Sequence, residues 1–150
     1  SGVQNEKALL EGASIGNTTF TATTTGAYVG VDFGASFTVP VINRFSPSIT
    51  PFAFNYLAKN TISCLVTANI LADQSTGGND IIIFGINQNN ILVSSISASL
   101  NSGVAKSFSF TAILKLRQND LLQFVVQNLT AGTNAQGFRA LSVNATLVEI

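Results

Sequence analysis

Leu114–Asn128 reads LKLRQNDLLQFVVQN. Leu114 and Leu116 alternate with polar residues, Arg117–Asp120 is a polar break, and Leu122, Phe124 and Val126 again take every second place. A side-chain period of two belongs to a strand, whose successive residues point to opposite faces. Asn and Asp bond their own backbone and tolerate left-handed conformations, so Asn119–Asp120 is expected to be a turn. The stretch is therefore read as a hairpin of two strands, each with one apolar face.

The same alternation extends on either side. In SFSFTAILKL, Phe108, Phe110, Leu114 and Leu116 share one face, and Ile113 lies on the other. A strand that is apolar on both faces needs cover on both, from a second sheet and from a neighbour. IIIFGINQNNILVSSISASL reads as two strands around NQNN, with Asn89–Asn90 suited to a tight turn. Phe52, Phe54 and Tyr56 alternate, as do Ile62, Cys64, Val66 and Ala68. SPSITP (Ser46–Pro51), DQSTGGND (Asp73–Asp80) and LTAGTNAQG read as loops, and FRALSVNATLVEI closes the chain as a last strand. Nearer the start, Asn17–Gly34 is rich in Thr, Tyr, Val and Phe punctuated by glycine, and Pro40 marks a strand edge or bulge. Asn5–Leu10 (NEKALL) is the one cluster of helix formers, expected as a helical turn or a lead-in. The count is about eight to ten antiparallel strands with turn signals every 8–12 residues or so, the pattern of an all-β sandwich or barrel. The absence of Trp and of a cysteine pair disfavours the immunoglobulin type, and no fixed repeat supports a propeller. A jelly-roll β-sandwich is the expectation.

The chain has 150 residues, enough for one domain with a real core. No methionine occurs, so the chain is expected to be part of something longer. Residues 1–16 are read as a tag remnant and the end of a missing stalk, and residues 17–150 as a single jelly-roll domain. Charged residues make up only 9%, with seven basic and seven acidic residues spread thinly. No basic stripe is evident, so neither nucleic acid nor an acidic membrane surface is expected as a partner. No apolar run approaches the ~18 residues that span a membrane as a helix.

The inventory for catalysis is thin. There is no histidine, and Cys64, the single cysteine, sits among apolar residues as a buried, inert thiol. Asp32, Asp73, Asp80 and Asp120 lie in Gly- or Asn-rich turn contexts, where Asp accepts backbone hydrogen bonds rather than forming a hydrolytic pair. Asp73 and Asp80 flank QSTGGN, but their spacing is not that of a calcium loop, and a solvated loop is expected there. No catalytic residue, metal site or cofactor is assigned. Sequons stand at Asn17, Asn128 and Asn144, and such triplets arise by chance in an Asn- and Thr-rich chain. With 11 Phe, 2 Tyr and no Trp, the aromatics look like packing residues rather than a sugar platform.

Residues 52–150 resemble the closing part of the trimeric jelly rolls related to tumour necrosis factor and to the globular heads of complement-type collagens. Leu116, Asp120, Leu122, Phe124, Val126 and Ile150 occupy the pattern of Leu, Asp and alternating apolar residues that those domains show before a loop and a C-terminal strand. Similar domains cap viral and phage fibres and spore-surface filaments, and the low charge matches that group better than animal cytokines. The resemblance implies assembly about a threefold axis, with loops that contact a receptor or glycan. The expected function is thus a non-enzymatic homotrimeric head or cap on a virion, fibre or other extracellular surface, used for assembly and attachment. A capsid jelly-roll subunit and a monomeric carbohydrate-binding module are the alternatives. Phe108, Phe110, Leu114, Leu116, Leu122, Phe124 and Val126 are the candidate core and assembly residues.

Overall fold

Alternating apolar and polar residues become strands wherever the chain is described. The computed structural model describes residues 8–19, 28–30, 37–47, 53–74, 80–101, 103–129 and 138–150. These form β1 (Ala8–Thr19), β2 (Tyr28–Gly30), β3 (Phe37–Ile42), β4 (Phe45–Pro47), β5 (Ala53–Tyr56), β6 (Ile62–Gln74), β7 (Asp80–Gln88), β8 (Ile91–Leu100), β9 (Lys106–Leu116), β10 (Leu121–Asn128) and β11 (Phe138–Glu149). No helix occurs among the described residues. A five-stranded sheet has the order β3-β1-β11-β6-β9, and a six-stranded sheet runs β4-β5-β10-β7-β8 with β2 also on β10. The two antiparallel sheets make a jelly-roll sandwich.

The opening stretch is not a hairpin. β9 pairs with β6 at the edge of the five-stranded sheet, whereas β10 pairs with β5 and β7 in the other sheet. Period two cannot tell these cases apart, because a strand buries one face whether its successor lies beside it or across the core. The observed arrangement turns the apolar faces of β9 and β10 toward each other. Phe84 of β7 lies 5.2 Å from Phe110 and 6.3 Å from Phe124 between ring centroids, and 6.4 Å from Phe108. Four aromatic rings thus tie the sheets together at distances typical of favourable ring pairs.

Two other readings change. Ala8–Leu10, the described part of the expected helical turn, is strand, and β1 pairs with both β11 and β3. Residues 8–16, expected to lead in, therefore belong to the sheet, because pairing on both sides overrides helix propensity. In the segment read as the SPSITP loop, Ser46 and Pro47 end β4, and residues 48–52 lie outside the described residues. Pro40 sits where its sequence context suggested. It lies on edge strand β3, where the pairs Glu11↔Val41 and Ala13↔Thr38 set two residues of β3, Val39 and Pro40, against one of β1, Gly12.

β7 and β8 form a true hairpin around Asn89 and Asn90, whose φ values of 53° and 67° suit a tight two-residue turn. Between the pairs Ile86↔Ser94 and Asn87↔Leu92 the register shifts, leaving Val93 as an extra residue. The bulge crowds Gly85. A Cβ there would stand 2.6 Å from the Ser94 carbonyl oxygen and 2.7 Å from a Leu92 methyl. Gly85→Ala is expected to destabilise the domain by about 1–3 kcal/mol, as overpacking does. Denaturant unfolding checks this, and an unchanged midpoint would show that β8 shifts without cost.

Candidate functional site

The seven candidate core and assembly residues all lie between the sheets. Phe108, Phe110, Leu114 and Leu116 project inward from β9, and Leu122, Phe124 and Val126 from β10, all buried. Among the described residues, the exposed candidate surfaces are built from other residues and lie in two places.

The first is the end of the sandwich where the chain crosses from β9 to β10. Asn119 adopts φ 72°, and the Asp120 amide donates to the Arg117 carbonyl at 3.1 Å, closing a turn. Oδ2 of Asp120 accepts the Arg117 amide at 2.8 Å and Gln88 Nε2 at 2.9 Å, and Oδ1 accepts Asn89 Nδ2 at 2.9 Å. Asn89 Oδ1 accepts the Leu121 amide, and Gln88 Nε2 also donates to the Lys115 carbonyl. Amides of Asn119 and Tyr56 bond the carbonyls of Tyr56 and Asp120 respectively, which brings in β5. One carboxylate thus locks two turns. Burial alone would raise its pKa, but the Arg117 amide, the Asn89 and Gln88 amides and the Arg117 charge outweigh this and hold it below its ordinary value. The turn reading at Asn119–Asp120 anticipated the backbone bond; the amide partners in NQNN had been read only as a turn.

The second place is the outward face of the five-stranded sheet. Register aligns its side chains in rows across β11, β6 and β9: Val148–Leu65–Ile113, Thr146–Thr67–Thr111, Asn144–Asn69–Ser109 and Ser142–Leu71–Ser107. None of these twelve positions carries a charge. Ser107 Oγ donates to Asn69 Oδ1 at 2.9 Å, so polar groups are partly satisfied within the face. Ile113, the residue placed opposite the Phe face, is 68% exposed. Leu65 and Val148 were legible by the same rule, since they alternate with the inward residues of their strands.

Among the described residues, groups suited to catalysis are not brought together. Cys64 is fully buried, and burial pushes its thiol up to about 11, with Glu149 adding to the rise against a bond from the Val148 backbone. At neutral pH the thiolate is scarce. Asp73 stands one residue before the end of β6 and Asp80 opens β7, and both are buried, which corrects their reading as solvated loop residues. Pairing of the long strands draws them into the sheet margin. Asp32 lies outside the described residues, as do the side chains of Asn17 and Asn128, whereas Asn144 is exposed on β11. Among the described residues no group of three His, Cys, Asp or Glu side chains is placed to hold a metal.

Asp120→Ala is expected to cost about 1–3 kcal/mol at pH 7, the worth of lost charge-assisted hydrogen bonds. Because the folded pKa is depressed, the contribution is present above the unfolded value of about 3.9 and is lost as pH falls through the folded value. Denaturant unfolding at a series of pH values should show the gap between the two proteins closing below about pH 4; a constant gap contradicts the clamp.

No protein-family model matches the sequence, and no curated protein matches it. Solved structures do. Murine APRIL aligns with a TM-score of 0.60 at 10% identity, over 95% of this chain and 98% of that one. Eiger TNF from S. frugiperda gives 0.57 at 18%, over 96% and 94%. The PRD1 vertex protein P5 gives 0.50 at 12%, over 96% and 99%. At such identities the likeness is one of fold, and this chain is a jelly roll of the kind found in tumour-necrosis-factor-like domains.

Proposed function

We propose that the chain is a non-enzymatic, homotrimeric head domain on an extracellular or particle surface, serving assembly and attachment to a receptor or glycan. The uncharged middle of the outward face of β11, β6 and β9, bounded by Lys115 at the Asp120 end, is the observation that carries this reading. A broad face of Thr, Ser, Asn, Leu, Ile and Val without a charge is cheap to desolvate, because its apolar rows gain on burial and its hydroxyls and amides can pair. Three copies closing about a threefold axis bury the middle of such a face, around Thr67, on every subunit and leave the Ile113 edge of β9 at its open margin. The lack of histidine, the protonated Cys64 thiol and the commitment of Asp120 to its turns support a non-enzymatic role. Similarity to the PRD1 vertex protein P5 favours a virion or particle surface among the possible settings.

Thr67 is exposed at the middle of its row, so Thr67→Lys leaves the single subunit able to fold while placing a charge in the proposed interface. Sedimentation should show three-chain particles for the unsubstituted protein and single chains for Thr67→Lys, with circular dichroism unchanged. Ser97→Lys, on exposed positions of β8, should keep the trimer. A Thr67→Lys protein that sediments like its parent, or a monomeric parent, contradicts the proposal.

A further inference from the structure

β8 and β9 are the outer strands of their sheets on the same side of the sandwich. Between them, at the Asp120 end, lies a groove of about 460 Å³ lined by Gln88, Asn89, Ile91, Val93, Ile113, Leu114, Lys115, Arg117 and Asp120. Ile91 and Ile113 are each 68% exposed and Val93 42%, so three aliphatic side chains face water at one place. Lys115 and Arg117 are exposed, and among the described residues neither forms an ion pair; the one pair is Arg44–Glu149. Asp120 contributes the single carboxylate, and both of its oxygens already accept hydrogen bonds from Gln88, Asn89 and the Arg117 backbone. The groove therefore carries one net positive charge, with the donors of two cationic side chains unclaimed by any carboxylate.

We infer that this groove binds an acidic sugar unit, a single pyranose ring bearing one carboxylate or sulfate, as the glycan contact of the attachment head proposed above. The volume falls within the range of small-ligand sites. Lys115 and Arg117 supply donors for the anion, and Arg117 can grip it with two parallel N–H bonds. Ile91, Val93 and Ile113 offer an aliphatic wall for the C–H face of the ring or an acyl methyl group. The Gln88 carbonyl oxygen and the second N–H of the Asn89 amide remain available for hydroxyls. A net charge of one suits a singly charged ring rather than a nucleic acid, whose binding needs several cations along a backbone.

The test titrates the isotope-labelled protein with lactose, with lactose bearing a terminal sialic acid and with lactose bearing one sulfate, following the amide signals of Asn89 and Arg117. At least one charged sugar should bind tenfold or more tightly than lactose, and the carboxylate and sulfate arms show which anion is preferred. Lys115→Gln combined with Arg117→Gln should weaken that binding at least tenfold with folding unchanged. Ile91→Asn, which keeps both cations, should weaken it as well. Equal binding of lactose, no binding of either charged sugar, full binding by the double variant, or equal competition by oligothymidine overturns the inference. Sedimentation of the same samples separates the two proposals: trimers that bind no acidic sugar sink only the groove, and monomers that bind it sink only the trimer.

Discussion

The contact of Phe84 with Phe108, Phe110 and Phe124 is what joins the two sheets into one domain. Phe84 and Phe124 stand on neighbouring strands of the six-stranded sheet, while Phe108 and Phe110 come from the edge of the other. Burying these rings removes large apolar areas from water, and their tilted and edge-on approaches add to that gain. Once the inward faces are spent on this core, the outward faces are free to carry function. β9 holds both consequences in one strand, with Phe110 inside and Thr111 and Ile113 outside.

Sandwich closure also requires the chain to cross between sheets, and the Asp120 clamp shows how a short segment does so. A two-residue hairpin turn would keep β10 beside β9. Instead Asn119 turns with positive φ, Asp120 holds the Arg117 amide, and the β5 backbone captures the turn from the far side. The same clamp fixes the Asn89–Asn90 turn, so the two loops at that end cannot move independently. Loops held by a rigid scaffold are where recognition residues commonly sit.

Much of the fold was legible because period two is a strong signal. Phe108 through Val126 were assigned inward faces from alternation alone, and all seven candidates are buried. Strand partners were not legible, since alternation says which side is buried but not which strand lies alongside; hence the β9–β10 segment resembled a hairpin. Helix formers at Ala8–Leu10 misled because pairing with β11, joined at Leu10 by β3, decides that segment. Asp73 and Asp80 looked like loop residues because glycines follow and precede them, while long-range pairing places them in strands. Ile113 betrayed an exposed apolar face, but the full rows across β11, β6 and β9 needed the register, which no single strand contains.

In the proposed assembly, copies of the chain cover the uncharged middle of the β11, β6 and β9 face. Thiol labelling tests it directly, because Cys64 is buried and protonated and so gives a silent background. A cysteine is placed by Thr67→Cys in the middle of the face, and by Ser97→Cys on exposed β8, and each reduced protein is reacted with a maleimide under native conditions. Slow labelling at position 67 with fast labelling at position 97 is the predicted result. Equally fast labelling at both positions would mean that the face is open to solvent, and the assembly account would be wrong.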